Sequence, residues 1–160
     1  MEARTDPELR IVPGGAGDTC RTILAALPTW FGIPDSVTDY VAAAETNPTV
    51  VASAGGEDVG LLTLVEHTAD AAEIYVMGVL PALHRHGIGR AMLGRAETWL
   101  AEHGVGFLQV KTLSPSHPDA GYARTRAFYL ACRFRPLEEM PHLWTEDQPA
   151  LQMIKALERR

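Results

Sequence analysis

The spacing of apolar and polar residues changes character several times along the chain, and each change predicts an element. Residues 9–12 form a short apolar-rich run that reads as a strand, closed by Pro13-Gly14-Gly15. Asp18 carries N-cap chemistry for a helix over about residues 19–27, and Asp35 or Ser36 for a second one ending near Ala44. Between them, residues 28–34 form a turn with two aromatics, Trp30 and Phe31. Residues 49–54 and 59–66 read as strands joined around Gly55-Gly56-Glu57-Asp58, a hairpin. A turn near residues 68–70 leads to a strand over residues 72–79.

Helical period then takes over. Ile88, Met92, Ala96, Trp99 and Leu100 fall on one stripe of a helix over residues 88–103, which Gly104 ends. Residues 105–112 are mostly apolar, as suits the centre of a sheet. A Pro- and Ser-rich loop at 113–121 precedes a helix from Tyr122; then come a short strand at 134–137, a loop to Pro149 and a last strand at 151–156. The order is strand, two helices, three strands, helix, strand, helix, two strands, with no internal repeat, and it reads as a single domain over residues 1–160.

Composition narrows the class. Of the 160 residues, 46% are hydrophobic and 21% charged, which fits a soluble globular chain with a sizeable core. The net charge of -6 argues against sequence-independent nucleic-acid binding as the main role. Against that background Arg85, Arg90 and Arg95 form a local basic spot, better suited to a small polyanion than to a long one. No signal pattern and no membrane-length apolar run is seen, so no membrane partner is expected and the expected compartment is the cytoplasm. The two cysteines, Cys20 and Cys132, suggest neither a disulfide framework nor a zinc site, and Cys132 is expected to be buried. Among six histidines, His84 and His86 lack a completing ligand set and read as loop residues. Ser114, His117 and Asp119 crowd one short loop and read as a turn rather than a hydrolytic triad.

Residues 84–90, His84-Arg85-His86-Gly87-Ile88-Gly89-Arg90, connect the strand ending at Val79 to the helix from Ile88. A glycine-containing basic loop that feeds a helix is an anion site: orphan N–H groups point outward, the macrodipole is positive there, and glycines let a phosphate reach the backbone. No Ser, Thr, Asp or Asn stands at the expected N-cap, so a bound diphosphate is a good candidate to satisfy those donors. A nucleotide P-loop would require Lys and a hydroxyl residue after the second glycine, where Arg90 and Ala91 stand. A dinucleotide loop would require a third glycine where Met92 stands. Taken alone, the loop is equally compatible with a plain surface turn.

Val79-x-x-x-x-His84-Arg85-His86-Gly87-Ile88-Gly89 resembles the acetyl-CoA loop of the GNAT superfamily of N-acetyltransferases, Gln/Arg-x-x-Gly-x-Gly/Ala, with His84 in the Gln/Arg position. Residues 122–134 resemble the second GNAT signature, Asn-x-x-Ala-x-x-Phe-Tyr-x-x-x-Gly-Phe. Phe128, Tyr129 and Phe134 match it, while Tyr122, Thr125 and Arg133 depart from it. The departure at Arg133 matters because a left-handed glycine usually ends this helix, and an Arg there costs roughly 1–2 kcal/mol unless the helix ends differently.

The resemblance covers essentially the whole chain and implies an α/β (α+β) fold, a mixed central sheet of about six to seven strands flanked by helices. It implies acetyl-CoA as co-substrate, no metal, and acetyl transfer to a primary amine by direct attack in a ternary complex. The implied cofactor-binding residues are Met77, Gly78, Val79, His84, Arg85, His86, Gly87, Ile88, Gly89, Arg90, Tyr122 and Tyr129. Backbone N–H groups near Met77–Val79 would hold the acyl carbonyl, with Gly78 at a bulge in the strand. Tyr129 would protonate the departing thiolate, the alternative being an aromatic that packs the helix onto the sheet. Glu73 matches the general-base glutamate of the histone-type branch, the alternative being an exposed carboxylate at a strand start.

A small-molecule or peptide amine is the implied acceptor, and the segment around Trp30 is where the family places selection. The acidic pairs Glu138-Glu139 and Glu146-Asp147 would attract a cationic acceptor or simply be solvated. A homodimer is compatible with this reading. The rival reading is an acyl-CoA-binding or regulatory domain without turnover, and transfer of a longer acyl group is a further alternative.

Overall fold

Gly55 and Gly56, with φ of 60° and 83°, make a two-residue left-handed turn between strands Thr49–Ala54 and Glu57–Glu66. Such a turn matches the right-handed twist of the strands it joins, and only glycine adopts it without strain. The hairpin belongs to a computed structural model that describes residues 6–27, 34–117, 119–145 and 147–158. Its elements are β1 (Glu8–Val12), α1 (Gly17–Ala25), α2 (Pro34–Thr46), β2 (Thr49–Ala54), β3 (Glu57–Glu66), β4 (Ala71–Val79), a 3-10 turn (Pro81–Leu83), α3 (Ile88–Glu102), β5 (Phe107–Leu113), α4 (Ala120–Ala131), β6 (Arg135–Thr145) and β7 (Gln148–Ala156). The succession is the one expected from the periodicity. The strands form a seven-stranded mixed sheet in the order β1-β2-β3-β4-β5-β7-β6, with β4 and β5 parallel.

The chain gathers into two compact units, residues 1–65 with 75–99, and residues 66–74 with 100–160. In the first, Cys20, Ile23, Leu24 and Leu27 of α1 and its following turn bury against Val51, Leu61 and Val76. Burial pushes the Cys20 thiol up to about 11, which leaves it protonated and inert. Asp18 does not cap α1. The helix begins one residue earlier, and Ala16 in the cap position offers no side-chain acceptor. The acceptor comes from the end of α2, where Glu45 Oε2 takes the Gly17 N–H at 2.9 Å. Likewise α2 starts at Pro34, so Asp35 and Ser36 lie inside its first turn; Pro suits that position because its missing N–H has no helical partner there.

Asp58 ties four segments of this unit together. It accepts from Ser53 Oγ (2.8 Å), Thr19 Oγ1 (3.0 Å) and Arg10 (3.1 Å). Burial works to raise its pKa, but the hydrogen bonds from Ser53, Thr19 and Arg10 and the Arg10 charge outweigh it and hold the carboxyl below its usual value. Asp58→Ala is expected to cost about 1–2 kcal/mol at neutral pH, the low end because the cluster is partly exposed. Since the folded pKa is the depressed one, this stability is present above the unfolded value of about 4 and is lost as pH falls through the folded value. Thermal unfolding at pH 7 and pH 3 checks it: the gap between wild type and variant should narrow at the lower pH.

In the second unit, Ala72 and Ile74 of β4 register with Leu108 and Val110 of β5, and Val110 with Met153 of β7. These residues are buried and share a face. Phe134 lies on that side too, since Lys155, of the same parity as Met153, sits over its ring at 5.9 Å. The opposite face carries Glu73, Gln109, Lys111 and Gln152. Helix α4 starts before Tyr122, because Asp119 is its N-cap and accepts from the Tyr122 N–H at 3.0 Å. The expected loop before Pro149 is corrected as well. Most of it is β6, an edge strand exposed along nearly its whole length, which therefore shows no apolar alternation. Pro136 and Pro141 are tolerated there because β6 is an edge strand whose register shifts beside both of them. The aromatic turn around Trp30 and Phe31, and Glu146, lie outside the described residues.

Candidate active site

In the first unit, β4 ends at Val79 and the chain passes through the 3-10 turn into the basic loop. His84 is extended (φ -61°, ψ 143°), and its Nε2 donates to the Val79 carbonyl at 2.7 Å. A carbonyl only accepts, so this ring nitrogen carries the proton. His84 thus pins the loop to the strand end. Arg85 then takes φ 68° and Gly87 φ 80°. For Arg85 this conformation costs about 1–2 kcal/mol, and strain of this kind gathers at ligand sites.

The Gly87 carbonyl accepts the first helical bond, from Ala91 N at 3.0 Å. Gly87 is therefore the N-cap of α3, and it has no side chain to accept from the first-turn N–H groups. His84, Arg85, His86 and Arg90 are exposed, Gly89 is half-buried, and Ile88 is buried and anchors the helix start. A helix start without a side-chain cap, the positive end of the helix dipole and exposed cationic side chains in one loop are the features that favour an anion.

Upstream in the same unit, Gly78 has a packing role. A Cβ there would lie 3.1 Å from Leu27 Cδ1 and 3.3 Å from Ile23 Cγ2, so glycine permits the close approach of α1. The ladder between β4 and β5 ends at Ile74 with Val110, and Met77, Gly78 and Val79 lie beyond it along β4.

The second unit holds both residues expected to move protons. Tyr129 is buried between aromatic neighbours, with Phe128 at 5.3 Å and Phe134 at 5.4 Å between centroids, both edge-on. Burial, and then Cys132 nearby, push its hydroxyl pKa well above the usual tyrosine value. Tyr129 therefore stays protonated at any ordinary pH. Tyr122 is raised in the same direction, by burial and then by Asp119. Cys132 is buried, as expected. The helix ends as the glycine of the signature would end it: Arg133 has φ 73°, and Phe134 N donates to Tyr129 O at 3.0 Å. The departure at Arg133 therefore carries the full left-handed cost.

Glu73 is not an exposed carboxylate at a strand start. It is the third residue of β4 and only 6% exposed. Its Oε1 accepts from His67 Nε2 at 2.6 Å and its Oε2 from Lys111 Nζ at 3.0 Å. Sequence reasoning missed His67 and Lys111. The signal for His67 is the tight turn after β3, where Thr68 Oγ1 accepts from Asp70 and Ala71 N–H groups and His67 N donates to Ala71 O. That turn brings His67 alongside the start of β4. Lys111 is reachable only through the β4–β5 register.

Ser114, His117 and Asp119 form no triad, since Ser114 Oγ donates to Glu139 Oε1 at 2.6 Å and Asp119 caps α4. Ser116 Oγ donates to the same oxygen at 2.7 Å, and these two hydrogen bonds hold the exposed Glu139 carboxyl below its usual pKa.

Residues 19–132 match the model of the acetyltransferase (GNAT) family. No curated protein sequence matches the chain significantly. Among solved structures it is similar to an acetyltransferase of the GNAT family from Desulfovibrio desulfuricans (16% identity, 96% of this chain and 100% of that one, TM-score 0.79). It is also similar to the ribosomal-protein-S18-alanine N-acetyltransferase of Escherichia coli (18% identity, 96% of each chain, TM-score 0.73). A third likeness is to an aminoglycoside 6'-N-acetyltransferase complexed with coenzyme A (17% identity, 94% and 98%, TM-score 0.73). At these identities the likeness is one of fold.

Proposed function

The chain is an enzyme of the acetyltransferase (GNAT) family, and we propose that it transfers the acetyl group of acetyl-CoA to a primary amine by direct attack in a ternary complex. The observation that carries the proposal is the exposed basic loop, in which Gly87 caps α3 without a side chain and leaves the helix donors to a ligand diphosphate. His84, Arg85, His86, Ile88, Gly89 and Arg90 complete that cradle.

Acetyl-CoA, once bound, supplies the activated thioester. The backbone N–H groups of Met77–Val79 polarise its carbonyl. Tyr129, buried and protonated, is the residue assigned to supply a proton to the leaving sulfur. Glu73 supports removal of the proton that the amine must lose. The acceptor is a small-molecule or peptide amine, in keeping with similar structures named for an aminoglycoside and for the alanine of a ribosomal protein.

Titration calorimetry with CoA, paired with thiol release from acetyl-CoA in the presence of amines, tests the whole reading. Binding without thiol release from any amine would favour a CoA-binding role without turnover. Glu73→Gln keeps the side-chain shape and removes the negative charge. It is expected to lower turnover by about 100-fold or more and to move the activity profile toward higher pH, where the acceptor supplies its own lone pair. Equal turnover and an unmoved profile would remove Glu73 from the catalytic group.

A further inference from the structure

We propose that the proton leaving the acceptor amine is taken by His67, and that Glu73 is the carboxylate that holds and orients this imidazole. The inference rests on the acetyl-transfer reading and assigns the proton within it. Glu73 is 6% exposed, and each of its oxygens already accepts a hydrogen bond, from His67 and from Lys111. A carboxylate so occupied is poorly placed to meet a substrate proton. The side chain of His67 is 43% exposed, so within the pair it is the ring that meets solvent.

A carboxylate only accepts, so Nε2 of His67 carries the hydrogen of the 2.6 Å bond. In the neutral ring this leaves the lone pair on Nδ1. Imidazole is the side-chain base suited to neutral pH, and a carboxylate behind it fixes the tautomer and stabilises the cation that forms. Lys111 cannot serve in its place, because an ammonium has no lone pair. Its role is to hold the second carboxylate oxygen and so keep Glu73 in place against His67.

The surroundings argue for function over stability. Glu73, Gln109, Lys111 and Gln152 line one face of three neighbouring strands, where Gln152 also donates to Gln109. A buried ion pair in a sheet is commonly no more stable than apolar residues in the same places. The turn that sets His67 is itself fixed by Thr68.

The step balances without any further reactant. The amine nitrogen bonds to the acetyl carbon as its N–H bond breaks, and the proton moves to His67 Nδ1, directly or through one water. The carbon–sulfur bond then breaks, and the thiolate takes a proton from Tyr129. His67 returns its proton to solvent, and Tyr129 regains one.

His67→Gln separates the roles, since the Gln amide can still donate to Glu73 but has no basic lone pair. The full chain is assayed by thiol release from acetyl-CoA with spermidine, an aminoglycoside, a lysine-containing peptide and a peptide with a free amino terminus. With any amine that wild type acetylates, His67→Gln is expected to lower kcat about 100-fold, with KM and CoA affinity nearly unchanged. His67→Ala is expected to regain activity with added imidazole, more strongly as the added base is made more basic.

Wild-type kcat in His67→Gln, with Glu73→Gln still impaired, would overturn the proposal and make Glu73 the base. A slow His67→Ala that imidazole does not restore would reduce His67 to a structural part and also overturn it. If wild type binds CoA but acetylates no amine, the acetyl-transfer reading fails separately. Nitrogen NMR then judges the pair: a His67 Nε2 proton shielded from exchange in wild type and not in Glu73→Gln supports it, and the same exchange in both overturns it.

Discussion

Tyr129→Phe is expected to lower kcat by about 100- to 10,000-fold while leaving CoA affinity close to that of wild type. The substitution removes one hydroxyl and keeps the ring, so the edge-on contacts with Phe128 and Phe134 and the burial of the helix survive. Folding is therefore a poor explanation for a loss, and thermal unfolding of the variant provides the control. Burial holds the hydroxyl protonated, which secures the donor but makes it a weak acid. Its hydrogen bond to sulfur should thus strengthen only as negative charge develops there, a transition-state effect read in kcat rather than in binding. The raised pKa has a further consequence: activity should show no alkaline decline from Tyr129 near the ordinary tyrosine value of about 10. Wild-type turnover in Tyr129→Phe would return the residue to packing.

Gly87→Val and Gly89→Val are each expected to weaken CoA binding by about 10- to 100-fold, the loss of one or two charge-assisted hydrogen bonds to phosphate. The pair is informative because the positions differ. At Gly87 the backbone has φ 80°, so a β-branched residue both blocks the ligand and strains the loop. Gly89 is the second residue of α3, where valine fits the backbone and is no worse a helix former than glycine. Loss of affinity in Gly89→Val with an unchanged melting temperature isolates the approach of phosphate to backbone. Unchanged affinity in a folded Gly89→Val would remove the diphosphate from this loop.

Local chemistry was legible in the sequence. The hairpin at Gly55-Gly56, the strand β4 and the helix α3 were announced by their own periods and turns, and α3 ended as expected at Gly104, whose φ is 79°. The basic loop was legible for the same reason, since its glycines and its helix are neighbours in the chain. What stayed hidden was set by distant partners. The cap of α1 comes from Glu45, far along the chain from Asp18. The strand β6 has neither a buried face nor alternation, and it is a strand because β7 offers it an edge. For Glu73 the exposed alternative stayed open because nothing near it in sequence supplies the lysine that sits on its carboxylate.

The Glu45 contact also says how the first unit comes apart. Glu45 Oε2 holds the Gly17 N–H, the Glu45 and Ala44 carbonyls accept from Gly15 and Ala16, and a Cβ at Gly14 would come within 2.7 Å of the Glu45 carbonyl oxygen. The start of one helix is therefore moulded on the end of the other, and Ala16 in the cap position of α1 offers no side-chain acceptor of its own. Fraying of α2 at its C-terminal turn strips α1 of its first-turn acceptors in the same event. The two helix ends form one cooperative opening unit, whose amides should exchange with solvent deuterium at a common free energy.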